Sequence, residues 1–332
     1  MKSKRLFISF SLVFGVLILQ GCSLIAEKPE QPPVIQTAYD FVLLDSQTEQ
    51  IISIQQLAEQ LKEADVIFIG EFHGNHASHL LQAQLQNLLY QQNPKQVLSM
   101  EQFNRDQQPI LNQYLDDEVG EAYLINEAPA WENYAASYRP LVSFAKQNFL
   151  PVIAANAPAD TVRCIGRQGL AYLDKLTEDE KRLIAAAPFK EIEGYREEFM
   201  TWLEASSHFD KTKAERSYLA QLTRDNTMAD SILQALSDYP EHQIIHTNGA
   251  FHSNHYLGTA GALKRMKPEL TIKVISPVHI EHSQPLKVNK EDYNKGDFIY
   301  LLQPQPEKYV NASYRKKAFK AMFKNADSKT CR

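Results

Sequence analysis

Motifs that mark several large enzyme classes are missing from this 332-residue sequence. It has no G-x-S-x-G turn for a serine hydrolase, no P-loop for nucleotide phosphates and no G-x-G-x-x-G fingerprint for a dinucleotide. It also has no C-x-x-C-H sequence for covalent attachment of haem. These absences argue against each of those classes.

A strong positive charge is also missing. The chain has 35 Lys and Arg against 40 Asp and Glu, which gives a formal net charge of −5 at pH 7. Nucleic-acid binding requires concentrated positive charge to neutralise phosphates, so we expect no nucleic-acid partner. The length predicts one large domain, or one domain with an insertion, with enough apolar residues for a core.

Cysteine is scarce, with three residues, and the first of them follows a secretory leader. Three basic residues precede an apolar run, Leu6 to Leu19, that is too short and wrongly flanked for a membrane-spanning helix. The ending Leu19-Gln20-Gly21-Cys22 resembles a bacterial lipobox, which implies a signal peptide over residues 1–21 and a lipidated Cys22. Ser23 resembles the signal for delivery to the outer membrane. The alternatives are an uncleaved anchor and an ordinary cleaved signal.

The other two cysteines, Cys164 and Cys331, stand far apart in sequence. An oxidising periplasm would permit a bridge between them. Because Cys331 lies beside the C-terminus in a segment that we expect to be a tail, we interpret both cysteines as free thiols.

Strand and helix patterns alternate along the rest of the chain. A proline-rich tether over residues 22–37 precedes a domain that we place at residues 38–306. From Asp160 to Tyr239 no segment has a strand pattern, so we expect a helical insert at residues 160–240. The predicted strands begin near Phe41, Gln50, Val66, Val97, Val152, Ile244, Ile272 and Phe298. The pattern predicts an α/β fold with a mostly parallel central sheet, flanking helices and an inserted helical subdomain.

Four of the predicted strands are followed by polar residues that can carry chemistry. The first ends at Gly70, where we expect a turn, and then delivers Glu71 and His73 on one side of an extended chain. The other three lead to Glu101, to Asn156 and to His252. Because ligands bind at the carboxyl ends of parallel strands, we expect these five polar residues to share one pocket. His76 and His79 follow the first strand on one helical face, and His246 and His255 lie near the last.

Imidazole and carboxylate groups in one pocket suit metal-dependent hydrolysis. Imidazole binds zinc and other divalent transition metals, and a carboxylate can ligate the metal, orient a histidine or act as a general base. An esterase or peptidase of this kind is therefore one hypothesis. The alternative is that these side chains make structural hydrogen bonds only.

The motifs and their order also resemble a known family. The sequences Gly70-Glu71-Phe72-His73, LSMEQF, Asn156-Ala157-Pro158, QLTRDNTMA and Gly249-Ala250-Phe251-His252 resemble those of the ChaN-like haem-binding lipoproteins. That family belongs to a superfamily with the Tiki proteases and the erythromycin-esterase-like proteins. The resemblance covers most of residues 40–285. It implies a lipid-anchored protein of the bacterial cell envelope that binds b-type haem without a covalent bond, acts in iron acquisition and contacts the outer-membrane haem uptake machinery. A surface-anchored interaction module is the remaining hypothesis.

Haem needs a broad apolar slot and an axial ligand, and the strand-end pocket has too many carboxylates to suit it. The insert instead carries Tyr195, Phe199 and Trp202 at helical spacing, with His208 just beyond. We predict Tyr195 as the axial ligand and His208 as a partner or propionate contact, although aromatic stripes are usually packing. One helical face covers one side of a porphyrin, which favours a homodimer.

The last segment, residues 307–332, is basic and amphipathic. It carries eight Lys and Arg against Glu307 and Asp327, interleaved with aromatic residues. Such a segment can lie on anionic lipid, pack on the body or remain a solvated tail.

Overall fold

Eight strands and twelve α-helices make up the computed structural model within the residues it describes, which are 34–129, 131–204, 210–280, 286–328 and 330–332. The strands are β1 (Phe41–Asp45), β2 (Ile51–Ile52), β3 (Val66–Glu71), β4 (Gln96–Asn104), β5 (Val152–Asn156), β6 (Gln243–Gly249), β7 (Ile272–His279) and β8 (Phe298–Leu302). All eight belong to one sheet, in the order β2-β1-β8-β7-β3-β6-β4-β5.

Most of this sheet is parallel. The six strands from β8 to β5 pair in parallel, and β1 and β2 add an antiparallel edge. The predicted α/β fold with a mostly parallel sheet is confirmed. The first two long strands, β3 and β4, are joined by a helix as predicted, but β6 lies between them and pairs with both.

Helices fill the connections on both faces of the sheet. Those before β5 are α1 (Ile54–Leu61), α2 (His76–Gln92), α3 (Gln108–Leu115), α4 (Glu121–Glu127), α5 (Tyr134–Ser137) and α6 (Arg139–Gln147). Those of the insert are α7 (Ala159–Gln168), α8 (Glu178–Arg182), α9 (Tyr195–Glu204) and α10 (Lys211–Asp238), followed by α11 (Gly258–Met266) after β6 and α12 (Ala312–Ser328) after β8. The described part of the insert contains no strand, in agreement with the predicted helical subdomain.

Side-chain caps explain where several helices begin. Ser53 and Gln56 form a reciprocal capping box at α1, and Thr177 and Glu180 form the box that their spacing predicts at α8. The Asp210 carboxylate accepts the Lys213 backbone N–H at the start of α10. Each cap satisfies backbone donors that the first helical turn leaves without partners.

The sheet separates two large apolar layers. On one face β3 and β4 pack with α1, α2 and α6 through residues such as Ile67, Leu81 and Leu141. On the other face they pack with α9, α10 and α11 through residues such as Phe68 and Leu222. Because β3 is buried on both faces, its continuous apolar sequence has no solvent-facing alternation.

The outer edge of the sheet at β5 is covered by a side chain. The Gln108 amide donates to the Val152 carbonyl at 2.9 Å and accepts the Ala154 N–H at 2.7 Å. It therefore takes the place of a neighbouring strand and satisfies backbone groups that an open edge would expose.

Cys164 and Cys331 form a disulfide, so the interpretation of both as free thiols is wrong. Their Cα atoms are 5.6 Å apart, because the C-terminal segment returns to α7 of the insert. The Arg332 carbonyl there accepts hydrogen bonds from Gln168 and Lys175. Sequence separation gave no indication of this return.

Within the described residues, no helix has the length and apolar character needed to cross a bilayer. The predicted signal peptide, the lipidated Cys22 and most of the tether lie outside the described residues.

Candidate functional site at the carboxyl ends of the strands

Four neighbouring parallel strands end side by side at this site. In sheet order they are β3, β6, β4 and β5, so their carboxyl ends lie together. Glu71 closes β3, Asn156 closes β5, and His252 follows β6 in a short 3-10 turn. The Asn156 amide donates to the Glu101 carbonyl of β4 at 3.0 Å. The structure therefore brings the predicted strand-end residues together.

Glu71 is buried and fully surrounded by hydrogen-bond donors. Its carboxylate accepts from His73 Nδ1 at 2.7 Å, from the Tyr138 hydroxyl at 2.6 Å and from the Gln82 amide at 2.7 Å. Burial alone raises the pKa of Glu71, but the hydrogen bond from His73 and the other neighbouring groups outweigh burial and lower the pKa. Glu71 is therefore a fixed carboxylate that orients His73.

His73 is the member of the site that reaches solvent, with 43% of its side chain exposed. Its ring packs edge-on against Trp131, with centroids 4.5 Å apart. Burial lowers its pKa, but the hydrogen bond to Glu71 and the charge of Glu101 outweigh burial and raise the pKa. Since Nδ1 is bound to Glu71, the free nitrogen is Nε2, which faces Gly249.

The second half of the site is an ion pair around His252. His252 Nε2 lies 3.4 Å from Glu101 Oε1, and Nδ1 lies 2.6 Å from Asp225 Oδ1 on α10. Burial lowers the pKa of His252, but the two carboxylates outweigh burial and raise its pKa to about 10. The charge of His252 in turn holds the pKa of Glu101 well below its usual range. At neutral pH this half contains an imidazolium between two carboxylates.

Asp225 connects this ion pair to the helical insert. Its carboxylate accepts hydrogen bonds from the Tyr195 hydroxyl and the Thr259 hydroxyl, each at 2.8 Å. Tyr195 is fully buried, and its oxygen also accepts a hydrogen bond from the Gln221 amide at 3.0 Å. Burial and the Asp225 carboxylate raise the pKa of Tyr195 well above its usual range. Tyr195 therefore belongs to the same network as Glu101 and His252.

Arg224, which precedes Asp225, adds a cation beside this network. Burial lowers its pKa, and the charges of Glu101 and Asp225 partly offset that effect. A solvated Arg-Asp face, which the sequence allowed, does not describe Asp225, because that residue is completely buried.

The turn after β3 differs from the one expected. The expected turn at Gly70 is wrong, because Gly70 lies inside β3 and the positive φ of 77° occurs at Gly74. Gly70 is needed for close packing instead: a Cβ there would lie 3.2 Å from Ala250 Cα and from the Ile275 carbonyl oxygen.

The other histidines near the strand ends have separate surroundings. His79 is buried beside Glu71 and accepts the Gly74 N–H, whereas His76 is exposed and stacks on Tyr39. His246 is a core residue, hydrogen-bonded to Ser99, and burial lowers its pKa to about 3. Among the residues with described positions, no three His, Cys, Asp or Glu side chains are arranged to hold a metal ion.

Comparison with known proteins identifies the family of this chain. A family model described as "Haem-binding uptake, Tiki superfamily, ChaN" matches residues 57–263, which is more than half of the chain. The chain belongs to this ChaN family. No curated protein matches the sequence.

One solved structure agrees with the fold of this ChaN-family chain, and two others have lower similarity. The structure described as "Cofacial heme binding to ChaN of Campylobacter jejuni" aligns with a TM-score of 0.57 at 16% identity and covers 82% of this chain and 100% of that one. An erythromycin esterase, EreC, in an open conformation has a TM-score of 0.45 at 12% identity and covers 83% of this chain and 86% of its own. A Bacillus cereus protein has a TM-score of 0.46 at 12% identity, with 76% and 92% covered.

The ChaN-family chain also has a cluster of three aromatic rings between α9 of the insert and the turn after β6. Trp202 is 61% exposed, and its ring lies 5.7 Å from that of Phe251, with the buried Phe199 ring about equally close to both. We call Phe199, Trp202 and Phe251 the aromatic ledge. Tyr195 lies beneath the ledge, 5.6 Å from Phe251, and His208 lies outside the described residues.

Tyr138 and Asp225 are among the residues of the site that were not predicted as site residues. Tyr138 meets Glu71 from 67 positions away, and its sequence surroundings resemble ordinary core. Asp225 did have a signal, because it stands in QLTRDNTMA, one of the stretches that resemble this family.

Proposed function

We propose that this protein binds haem at the aromatic ledge. The observation that carries the proposal is the exposed Trp202 beside Phe251 in a chain of the haem-binding ChaN family. A porphyrin is a broad apolar plane, and flat aromatic side chains supply contact area that matches it. The strand-end site is less suitable, because Glu71, Glu101 and Asp225 are all buried carboxylates there.

The fit of the individual residues differs. The Trp202 side chain is exposed, which suits contact with a macrocycle. The Tyr195 hydroxyl is not exposed, because it is buried between Asp225 and Gln221. Ligation of iron by Tyr195 stays a prediction and requires that its hydroxyl leave Asp225. His208 is retained as a partner or propionate contact, and its sequence position places it four residues beyond the end of α9.

The wider proposal concerns the cellular location and the oligomeric state of the protein. The ledge would cover one side of a porphyrin, so a second copy of the chain would supply the other side. The ChaN structure that resembles this chain is described by its cofacial haem binding. Lipidation at Cys22, with location in the cell envelope and delivery of haem to outer-membrane uptake machinery, completes a role in iron acquisition.

Haem titration tests the proposal. We expect a Soret band on addition of haem to the purified chain, and Trp202→Ala should weaken binding on the order of 10-fold through lost apolar contact. Phe149→Ala, which removes an aromatic side chain that is 93% exposed elsewhere, is the matched control and should bind normally. Equal affinity in the Trp202 and Phe149 variants would reject the ledge.

The same titration examines the two predicted ligands. If Tyr195 ligates iron, Tyr195→Phe should abolish the charge-transfer band of a ferric phenolate and weaken binding. His208→Ala should weaken binding more modestly. An unchanged spectrum in Tyr195→Phe assigns that hydroxyl to the Asp225 network alone.

A second candidate function is hydrolysis of an ester or peptide bond. The specific observation is that Glu71 holds Nδ1 of the partly exposed His73 ring and leaves Nε2 as a base that can take a proton from water. The metal-dependent form predicted from the sequence does not fit, since the described residues contain no suitable group of ligands.

An ester panel tests this candidate. His73 acts as a base only when unprotonated, and its pKa is raised, so the rate should increase with pH through that value. Glu71→Gln should shift this profile to lower pH, and His73→Gln should abolish turnover. Glu63→Gln, at an exposed position, is the control. Absence of turnover in the unmodified chain would remove the candidate.

A further inference from the structure

The basic C-terminal segment, residues 307–332, is held at both ends. We call it the strap. It follows β8, and Gln303 just before it receives a hydrogen bond from Asn75 at its carbonyl. At the far end Cys331 is bonded to Cys164, and Arg332 contacts the insert. The strap is therefore attached to the body just before its first residue and again at its last two residues.

The middle of the strap is largely exposed. From residue 311 to residue 321 every side chain is exposed apart from the half-buried Ala318. The Tyr314 and Phe319 rings lie 5.8 and 6.0 Å from Tyr309, which is itself part of the strap. Tyr314 nevertheless remains 63% exposed. Exposed aromatic rings among clustered lysines are the composition that an interfacial helix presents to a membrane.

The charge of the strap indicates what kind of partner it is. The strap has eight Lys and Arg against two acidic residues, and the remaining chain has a formal net charge of −11. Lys316, Lys317 and Lys320 lie within one turn of each other on α12. Among the ion pairs of the described residues, none joins these three lysines to the acidic body. Their charge is available to an external anionic surface.

The position of the strap on the body agrees with a membrane surface. The Gln303 amide donates to the Ile35 carbonyl at 3.0 Å, so the beginning of the strap adjoins the end of the tether. If the tether leads to the lipid anchor proposed above, the strap begins near the point where the tether joins the domain. A basic patch near a lipid anchor provides a second attachment to an anionic surface.

We propose that the strap lies on an anionic phospholipid surface, with Lys316, Lys317 and Lys320 contacting headgroups and Tyr314 entering the interface. Aromatic residues favour the headgroup region, and each Lys or Arg near an anionic surface strengthens binding on the order of fivefold. The position argument depends on the proposed anchor, but the contact between strap and lipid does not.

A reporter on the strap tests this contact in the full chain. Tyr314→Trp introduces an indole, and its emission is obtained by subtracting that of the unmodified chain. The probes are vesicles of phosphatidylcholine alone or mixed with phosphatidylglycerol, which carry a lipid-bound quencher. We expect a blue shift and quenching with the anionic vesicles only, and their loss at high salt.

Charge-reversal variants distinguish lipid binding by the strap lysines from nonspecific attraction of the whole protein to anionic vesicles. In the reporter chain, Lys316→Glu, Lys317→Glu and Lys320→Glu together should weaken lipid contact on the order of 100-fold. The control reverses Lys211, Lys287 and Lys290, three exposed lysines outside the strap, and should retain the signal. Equal quenching in neutral vesicles, a signal that survives reversal of the strap lysines, or self-association without quenching would each overturn the proposal. If only the lipid anchor were missing, less protein would be recovered with the vesicles. This decrease would be the same for every variant and for both lipid mixtures.

Discussion

His252 Nδ1 lies 2.6 Å from Asp225 Oδ1, and this contact joins two regions that the sequence presents as separate sites. His252 belongs to the strand-end pocket, whereas Asp225 and its partner Tyr195 belong to the helical insert. Tyr195 of the predicted haem region is therefore linked to Glu101 through Asp225 and His252. These four residues form one buried network.

Asp225→Asn should be strongly destabilising. The substitution removes the charge that faces the His252 imidazolium, and breaking a buried pair by removal of one partner costs about 3–5 kcal/mol of unfolding free energy. Urea denaturation measures the change. Asp230→Asn on the same helix is the control, because the Asp230 side chain is 44% exposed and its pair with Arg105 should contribute about 1 kcal/mol or less. Equal losses in the two variants would contradict a buried ion pair at Asp225.

The network also predicts how stability depends on pH. The folded-state pKa of His252 is raised from 6.5 to about 10, so its contribution is complete below about pH 6.5 and decreases as the pH rises towards 10. His252→Gln should remove this dependence. Urea denaturation of the unmodified chain and of His252→Gln between pH 6.5 and 10 measures this dependence. If the unfolding free energy of both proteins changed with pH in the same way, His252 would not be held as an imidazolium.

Gly249→Ala should displace His73. A Cβ at Gly249 would lie 2.6 Å from His73 Nε2, so the ring has to move away from its hydrogen bond with Glu71. We expect a loss of about 1–3 kcal/mol in stability from overpacking and a fall in the pKa of His73, measured by NMR titration. Gly166→Ala in α7 is the control, since a Cβ there makes an ordinary 3.6 Å contact with the Ala220 side chain of α10. A normal His73 titration in Gly249→Ala would contradict the close approach.

The disulfide predicts a chemical result and a stability change. Under oxidising conditions Cys164 and Cys331 should resist alkylation, and mass spectrometry should find their peptides joined. Cys164→Ala should cost about 2–4 kcal/mol of unfolding free energy, because the cross-link restricts the unfolded chain. Cys331→Ser should cost a similar amount, and the double variant should cost no more than either single one. Additive losses would argue against a shared bond.

The local patterns of the sequence were sufficient for the fold class. Apolar runs such as Val66 to Ile69 predict buried strands, and Thr177 with Glu180 predicts the start of α8, because both depend on neighbours in the chain. The convergence of Glu71, Glu101 and His252 also followed from the sequence, since parallel strands that each end in a polar residue bring those residues to one edge.

Tertiary structure decided which groups touch. The pairing of His252 with Asp225, of Glu71 with Tyr138 and of Cys164 with Cys331 depends on how the helices and the C-terminal segment pack on the sheet. Charge states follow the same rule, because a histidine that titrates near 6.5 in water is shifted to about 10 only between two buried carboxylates. Periodicity within a chain records which face of an element is buried, but it carries no information about the distant residue that completes a contact.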